Sequence, residues 1–521
     1  MNKTSSHAKD VTGFFLILTF VFGIVVRILP LLRVDFPLVD GGMFYTMIKD
    51  LQAANFSLPV FTTYNNTHIP FAYPPLGFYL TGILNSVTNI SILHILHWLP
   101  FIFTILNIPL FFYFAKQILG SEPRAALATL IFTLTPNSYW WNIVGGGLTR
   151  SLGTLFFTTT VICVHQMYQR RTKVWAAVAI VSAAGSVLSH PVWALHSVIV
   201  SILLWWFYGR DKQGSLYSLV VGLGVVALTS PWWATVIQNH GVGTLLNAST
   251  VTNSRLLFWT VFFALSFTGE YAPVIAVFGL VGLFMYLARK DYFLVAWVLL
   301  CLFVDPRGGL PVVIFPFSIM AVTALADGIT SRLSTVNAES SLPDGWMDSL
   351  KSNSGRLFFG FFILLFVYNA YKVSNTLSFQ VLGVEEHKAI EWAKTNTDAD
   401  ENFLILDEQG NPLLSPLTEW FPALAERRSI ATIQGTEWLP EKRHYNELYT
   451  TITDIHQCLY QDVDCLHKFQ GGLPDGYEYI MLSSKRQSGN KSQLPLLVSL
   501  SENSDFTLVY NSQNIFIFQA P

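Results

Sequence analysis

The sequence predicts an α-helical polytopic membrane protein with about eleven transmembrane helices and a small α/β domain at its C-terminal end. Three observations support this fold class. Of the 521 residues, 52% are hydrophobic and only 12% are charged, whereas an average soluble domain carries about 25% charged residues. Long apolar runs recur through the first part of the chain, and the sequence becomes polar from residue 375 onward.

A helix needs about 20 mostly apolar residues to cross the hydrocarbon core of a bilayer. Runs that meet or approach this length lie at 12–33, 94–118, 123–138, 150–168, 174–189, 191–208, 214–233, 271–288, 292–304, 311–326 and 356–373. Two further apolar stretches lie at 72–88 and 256–268, and the prolines and polar residues of the first indicate an interfacial or re-entrant segment. No small-residue cleavage site follows the first run, which therefore predicts a retained helix and not a signal peptide.

Lys and Arg residues predict the orientation, because they accumulate in cytoplasmic loops. With the N-terminus cytoplasmic, the short outer loops hold only five of them: Arg33, Lys49, Arg150, Arg255 and Arg307. An odd number of spans then places the C-terminal domain on the extracytoplasmic side. Since no retention signal is recognisable, the plasma (inner) membrane of a prokaryote is the expected location.

The chain divides into a membrane domain at 1–374 and a soluble domain at 375–521. The membrane domain includes a long first outer loop (34–93), with a surface helix expected at 43–54, and a cytoplasmic linker (327–355). In the soluble domain, helical patterns at 384–395 and 444–459 alternate with strand patterns at 403–406 and 479–482, and 506–518 predicts a hairpin. Cys458 and Cys465 could pair if this domain faces an oxidising space.

Several function classes are disfavoured by composition and motifs. A net charge of -2 gives no electrostatic reason to expect nucleic acid as a partner. The sequence contains no Walker-type loop, no nucleotide-binding glycine fingerprint after a strand, and no cysteine–histidine metal spacing.

The arrangement resembles the GT-C superfamily of membrane glycosyltransferases, which use polyprenyl-phosphate-linked sugars. The features that carry the resemblance are the odd helix number, the long first outer loop, Asp40 in Val-Asp-Gly-Gly-Met-Phe-Tyr, the stretch Tyr73-Pro74-Pro75-Leu76, and the outer C-terminal domain. The resemblance implies that Asp40 acts as general base on the acceptor, or holds a metal that positions it. Asp35 is the alternative carboxylate, and a helix cap at Gly42 is the alternative role for Asp40.

The resemblance also implies a site for the polyprenyl phosphate at the outer face. Arg150 is the first candidate, because it follows three glycines at a helix start, where backbone N–H groups bind anions. Arg255, Arg307 and His190 are further candidates. The alternatives are arginines that reach toward lipid headgroups and, for His190, an interhelical histidine with satisfied hydrogen bonds.

Glu270 is a candidate for acceptor or metal binding. The oligosaccharyltransferase branch of the superfamily carries a Thr two places before a Glu in an outer loop, matched here by Thr268 and Glu270. The other signatures of that branch are missing, which argues against a firm metal site, although Mg²⁺ or Mn²⁺ stays possible. Glu419 and Glu437 each precede a Trp, a pair that can bind a sugar. A Trp in a small core beside a solvated Glu is the more common arrangement.

The sequence therefore predicts a glycosyltransferase that moves a hexosyl or pentosyl group from a polyprenyl-phosphate donor to a lipid, glycan or protein acceptor at the extracytoplasmic face. One alternative is a transporter or flippase for a lipid-linked glycan. Few charged residues lie mid-helix, where coupling ions need them, and no internal repeat is visible. The other alternative is a non-catalytic, glycan-binding membrane scaffold.

Overall fold

The computed structural model describes residues 2–250, 273–306, 308–330, 345–409, 411–439, 442–469, 473, 476–484 and 494–521. Ten helices cover the first described range: α1 Asn2–Leu31, α2 Gly42–Ala53, α3 Leu76–Thr88, α4 Ile92–Leu119, α5 Glu122–Leu134, α6 Gly147–Arg170, α7 Lys173–Ser189, α8 Pro191–Tyr208, α9 Lys212–His240 and α10 Val242–Thr250. The membrane domain continues with α11 Pro273–Ala288, α12 Phe293–Val304, α13 Gly309–Thr323 and α14 Asn353–Leu377.

The chain is a multi-pass membrane protein. Seven of the described helices are long and apolar enough to cross a bilayer: α1, α4, α6, α8, α9, α14, and α13 with the π-helical turn that follows it. Three shorter apolar helices correspond to α7, α11 and α12, and α5 has 13 residues. Each of the eleven predicted runs thus coincides with a helix, but several helices are shorter than a span requires. The number of eleven spans stays a prediction.

Burial separates the central helices from the peripheral ones. In the most apolar window of α13 and its following turn, 89% of the residues are buried inside the protein, whereas the figure for α9 is 17%. A helix that is apolar all round and buried belongs in the centre of a bundle, and α13 packs against α5, α11 and α12. The apolar residues of α9 face outward, as expected of a helix in contact with lipid.

The first outer loop holds two helices. The surface helix predicted at 43–54 is α2, and its apolar side is buried, with Met47 and Ile48 almost inaccessible. That side packs against helix α16 (Pro416–Ala425) of the C-terminal domain. The stretch predicted at 72–88 as interfacial or re-entrant contains α3.

The C-terminal domain is α/β, as predicted. Its described residues form five strands, β1 Asn402–Asp407, β2 Arg428–Ser429, β3 Tyr479–Ser483, β4 Thr507–Asn511 and β5 Ile515–Gln519, in the order β2-β1-β3-β5-β4. Strands β1, β2 and β3 are parallel, and the predicted hairpin is the antiparallel pair β4–β5. The helices are α15 Val384–Asn396, α16, α17 Lys442–His456, α18 Val463–Phe469 and α19 Pro495–Glu502. A disulfide joins Cys458 to Cys465.

The sheet is covered on both faces, which explains its continuous apolar strands. Because successive side chains of a strand point to opposite faces, Phe403 and Ile405 pack into one cluster while Leu404 and Leu406 pack into another. The first cluster also contains residues of α2, α3 and α4, so it continues from the C-terminal domain into the first outer loop. The two parts of the chain therefore share a hydrophobic core at their junction.

Candidate active site

Asp40 lies in the tight turn between α1 and α2, where the first outer loop meets the C-terminal domain. Its neighbours Val39 and Gly41 both have left-handed backbone angles, with φ 57° and 123°. The backbone N–H of Gly146 donates to Asp40 Oδ1 at 2.7 Å, and Arg150 Nη2 donates to Oδ2 at 2.7 Å. Asp40 does not cap α2, which begins after Gly41 without a side-chain cap. Its carboxylate is instead held between the backbone of the loop that precedes α6 and a side chain in the first turn of α6.

The glycine-rich loop is shaped around this carboxylate. A Cβ atom at Gly145 would lie 1.9 Å from the carbonyl oxygen of Asp40, and one at Gly146 would lie 2.6 Å from Oδ2. A Cβ at Gly147 would lie 2.2 Å from the carbonyl oxygen of Asn142. Gly145 and Gly147 therefore need glycine for close backbone approach, whereas a Cβ at Gly146 would displace the Asp40 side chain. In this structure the N–H of Gly146, at the start of α6, binds the side chain of Asp40, the same kind of anion contact that the sequence predicted for a phosphate.

Arg150 is fixed by three contacts. Besides its bond to Asp40, its Nε donates to the carbonyl oxygen of Trp141 at 3.0 Å, and its guanidinium lies 4.4 Å from the centre of the Trp141 ring. The side chains of Arg150 and Asp40 are 14% and 13% exposed, so this ion pair is largely removed from solvent. The sequence predicted Arg150 as a phosphate ligand, and the structure places it on the predicted base.

Glu419, which the sequence offered only as a sugar-binding carboxyl beside Trp420, contacts the backbone next to Asp40. It lies on α16, is 5% exposed, and accepts a hydrogen bond from the backbone N–H of Gly41 at 2.8 Å. Burial, and secondarily the charge of Asp40, raises the pKa of Glu419 to about 8, against the opposing effects of backbone bonds from Gly41 and Met43. Glu419 therefore holds its proton at neutral pH, next to the paired carboxylate of Asp40.

The more common arrangement expected for Glu419, a solvated carboxyl beside a core Trp, is right for the Trp and wrong for the carboxyl. Trp420 is indeed fully buried, but Glu419 is buried with it. The reason is the close docking of α2, since a Cβ at Gly42 would lie 2.4 Å from the carbonyl oxygen of Glu419. An acidic residue followed directly by Trp420 and Phe421 is the sequence signal for this position.

An aromatic wall borders the ion pair. The Tyr73 hydroxyl lies 3.3 Å from Thr149 Oγ1, and the Tyr73 ring makes edge contacts with His190 at 6.2 Å and Trp438 at 5.5 Å between centroids. Burial raises the pKa of Tyr73 to about 12, so its hydroxyl stays protonated at physiological pH. The stretch Tyr73–Leu76, which contributed to the superfamily resemblance, thus lies at this site. His190 joins α7 to α8, and its Nδ1 accepts the backbone N–H of Val192 at 3.3 Å.

The remaining predicted residues are not brought together with these. Asp35 is exposed at the surface. Arg255, Glu270 and Arg307 lie outside the described residues. Within the described ranges, no group of three or more His, Cys, Asp or Glu side chains has the geometry to hold a metal ion. The Mg²⁺ or Mn²⁺ site therefore stays a prediction.

The whole fold is similar to that of known proteins, although the sequence is not. No protein-family model matches the chain, and no curated protein matches it by sequence. Among solved structures, ArnT from Cupriavidus metallidurans in the apo state superposes with a TM-score of 0.54, at 13% identity and over 98% of both chains. ArnT bound to undecaprenyl phosphate superposes with a TM-score of 0.50, at 12% identity, over 97% of this chain and 98% of that one.

A second solved protein shows the same similarity. The arabinofuranosyltransferase AftD from Mycobacteria superposes with a TM-score of 0.54 at 12% identity, over 98% of this chain but 40% of AftD. The fold, with its membrane helices and C-terminal domain, is therefore found almost complete in ArnT and as one part of AftD. This chain has the fold of ArnT and of one part of AftD.

Proposed function

We propose that this protein is a glycosyltransferase that moves a sugar from a polyprenyl-phosphate donor to an acceptor at the extracytoplasmic face of the membrane. The observation that carries the proposal is the Asp40 carboxylate, held by Gly146 N–H and Arg150 where the membrane domain meets the C-terminal domain. The fold shared with ArnT and AftD supports transferase chemistry. The crystal structure of ArnT with undecaprenyl phosphate supports a polyprenyl phosphate as the lipid partner.

The reaction assigned to this site is a single displacement. The acceptor hydroxyl oxygen attacks the anomeric carbon, a new C–O bond forms, and the bond from that carbon to the phosphate oxygen breaks. The electron pair of that bond leaves with the polyprenyl phosphate, and the acceptor proton passes to Asp40. Attack from the side opposite the leaving group inverts the anomeric centre.

Arg150 and Glu419 have separate roles in this scheme. Arg150 orients the Asp40 carboxylate before the acceptor arrives. As Asp40 takes up the proton, its attraction to the guanidinium weakens, and Arg150 can then stabilise the charge that develops on the leaving phosphate. Glu419, uncharged at neutral pH, orders the backbone at Gly41 without adding a second negative charge beside the leaving group.

The proposal is tested by transfer of radiolabelled sugar from polyprenyl-phosphate donors to a mixture of lipid, glycan and protein acceptors. Purified wild type, Asp40→Asn and Asp35→Asn are compared, each with and without EDTA. Asp35→Asn is the matched control, because it removes an exposed carboxylate a few residues from Asp40. We expect the wild type and Asp35→Asn to transfer label, and Asp40→Asn to lose at least about 100-fold in rate, the size of a general-base contribution.

Other outcomes change the proposal in defined ways. Full activity of Asp40→Asn would exclude Asp40 as the base, and loss in Asp35→Asn alone would move the base to Asp35. Loss of wild-type activity with EDTA and its return with Mg²⁺ or Mn²⁺ would establish the metal requirement. A protein that binds glycans, with no transfer from any donor, would favour the scaffold.

A further inference from the structure

His190 is a half-buried side chain where α7 meets α8, and its two ring nitrogens have different surroundings. Nδ1 accepts the backbone N–H of Val192 at 3.3 Å and thereby caps the first turn of α8. Nε2 has no hydrogen-bond partner among the described residues, and it does not belong to their fully buried unpartnered atoms. One nitrogen of this ring therefore stabilises the fold, and the other is accessible to a ligand.

The cap determines where the imidazole carries its proton. A neutral imidazole has one donor nitrogen and one acceptor nitrogen, so Nδ1 as acceptor leaves the proton on Nε2. A second proton would have to bind at Nδ1, where it would face the N–H of Val192 and the positive end of α8. His190 is thus held as an uncharged side chain whose accessible nitrogen is a hydrogen-bond donor.

The charged groups that act on His190 from the neighbouring elements are Arg150 on α6 and Asp305, which follows α12. Burial, and secondarily the charge of Arg150, lowers the pKa of His190 to about 3, against the opposing charge of Asp305. The Asp305 carboxylate lies with Oδ2 3.6 Å from Nε2 of His196, and its Oδ1 accepts the N–H of Gly308 at 2.9 Å. At neutral pH His190 is therefore uncharged, as its cap requires.

His190 borders the active-site candidate through α6 and through Tyr73. A Cβ at Gly153, one turn after Arg150, would lie 3.1 Å from the Cβ of His190, so the histidine packs directly on the helix that carries the arginine. The Tyr73 ring, which also contacts Trp438, lies edge-on to the His190 ring at 6.2 Å between centroids. The Nε2 donor is thus available beside the site in which the paired carboxylate acts.

A single uncharged donor suits a sugar hydroxyl better than a phosphate. Phosphate groups are bound most strongly by charged donors, above all by the planar fork of arginine, and in the proposed reaction Arg150 has this role. The negative charge of Asp305 acts on the His190 ring and disfavours a second anion at the same place. A hydroxyl oxygen accepts one hydrogen bond and brings no charge.

We propose that His190 donates from Nε2 to a hydroxyl of the sugar that is transferred, and that it recognises the sugar of the donor and not the phosphate. The sequence offered His190 as a phosphate ligand, so the proposal replaces that role. It rests on the proposed function and deepens it by naming a residue that determines sugar specificity. No covalent bond forms or breaks at His190.

Two substitutions separate the two nitrogens of the ring. His190→Asn keeps an acceptor close to the position of Nδ1, and asparagine is a preferred helix cap, but nothing remains at the position of Nε2. His190→Gln places an amide N–H close to the position of Nε2 and loses the cap. His94→Asn is the matched control, because it changes an exposed histidine at the start of α4.

The test measures equilibrium binding of radiolabelled lipids to the full-length protein in detergent. The probes are undecaprenyl phosphate and the same lipid carrying mannose, glucose, galactose or arabinose. We expect His190→Asn to bind a sugar-bearing lipid about tenfold more weakly than the wild type, the loss typical of one hydrogen bond, and to bind undecaprenyl phosphate equally. His190→Gln should regain most of the affinity although it unfolds at lower temperature, and His94→Asn should match the wild type.

Transfer kinetics provide a second measurement. In His190→Asn, kcat/KM for the donor should fall about tenfold while the acceptor KM is unchanged. The shape of its rate–pH profile from pH 5 to 9 should match that of the wild type, because an uncharged side chain does not titrate in this range. A profile that loses a titration in His190→Asn would contradict the uncharged state.

The binding results distinguish this inference from the proposed function. Equal weakening of both kinds of lipid in His190→Asn would assign His190 to the phosphate and overturn the inference. Equal binding of every lipid by wild type and variant, or a wild type that binds no sugar-bearing lipid more tightly than undecaprenyl phosphate, would also overturn it and leave the proposed function standing. Sugar-dependent binding that requires His190, without transfer from any donor, would overturn the proposed function and keep the sugar contact.

Discussion

Glu419 and Asp40 are two carboxyl groups beside the same stretch of backbone, and the surroundings of Glu419 make its ionisation depend on folding. Folding raises the pKa of Glu419 from its ordinary 4.5 to about 8 through burial and the charge of Asp40. Its contribution to stability is therefore fully present below pH 4.5 and is lost as pH rises through the folded pKa. A rise in pH therefore destabilises the folded state through the ionisation of Glu419.

Glu419→Gln should remove this pH dependence. The amide stays uncharged and can still accept the N–H of Gly41, so the variant and the wild type should unfold at similar temperatures at pH 5. At pH 9 the variant should unfold at the higher temperature, since each unit of pKa shift corresponds to about 1.4 kcal/mol. Thermal unfolding in detergent from pH 5 to 9 measures the difference. Glu426→Gln, an exposed carboxyl at the end of the same helix, should run parallel to the wild type, and a parallel Glu419→Gln curve would contradict the pKa shift.

At the scale of elements, the loop 145–147 at the start of α6 contacts Asp40 and fixes where its carboxylate lies. Gly146→Ala places a Cβ only 2.6 Å from Asp40 Oδ2. The Asp40 carboxylate then has to shift from its position beside Arg150. A shift of this size in a reacting group typically costs about 100-fold in rate. We expect a loss of that order in sugar transfer with little change in unfolding temperature.

The matched control for that substitution is Gly222→Ala, in α9. A Cβ there meets no atom within 4 Å, and alanine favours the helix more than glycine does. Activity should therefore equal that of the wild type. A Gly146→Ala protein with unchanged activity would show that the exact placement of Asp40 is unimportant for the reaction.

The sequence was most informative about the positions of individual helices and strands. Apolar run length placed a helix at each of the eleven predicted positions, because hydrophobic patterning is local along the chain. The hairpin β4–β5 followed from two alternating stretches around Asn511–Asn514. Helix lengths were less predictable: α5 ends at Leu134 and not at residue 138, because Pro136 begins a separate 3₁₀ turn.

The active-site candidate could be predicted only in part. Asp40 and Arg150 were both found, through glycine-flanked charge in outer loops, but their bond to each other spans 110 positions. Glu419 was named only as a sugar-binding carboxyl beside Trp420, because its contact with Gly41 spans 378 positions and its neighbours in the sequence do not indicate which backbone it meets. Residues that act through distant partners need the three-dimensional arrangement to be recognised.

At the scale of the whole molecule, the C-terminal domain is held to the membrane domain by buried contacts more than by surface charges. The ion pair between Lys49 and Glu426 spans 3.6 Å with both side chains about half exposed, a kind that contributes about 0–1 kcal/mol. The two hydrogen bonds between Asn65 and Ser429 are buried. They also complete an otherwise unpaired sheet edge.

Asn65→Ala should therefore loosen the docking of the domain. The buried N–H of Ser429 loses its partner, which costs about 1–3 kcal/mol, and the Ser429 carbonyl oxygen keeps only the bond from the Thr432 N–H. Asn66→Ala is the matched control, because Asn66 has the same left-handed backbone but is exposed. We expect Asn65→Ala, and not Asn66→Ala, to unfold at lower temperature and to be cleaved faster by protease near residue 375. Equal behaviour of the two variants would show that the Asn65 contacts do not hold the domain.

The pairing of Asn65 with strand β2 also has a consequence for producing the protein. Asn65-Asn66-Thr67 is an acceptor sequence for N-linked glycosylation, and the amide that would carry the glycan is the one bonded to Ser429. In the proposed orientation, this loop enters the lumen of a eukaryotic host before residues 428–429 are synthesised, so a glycan attached there would arrive ahead of the strand. Such a molecule could not close its domain junction and would be retained by quality control. A bacterial host, or a Thr67→Val chain in a eukaryotic one, should therefore yield more folded protein.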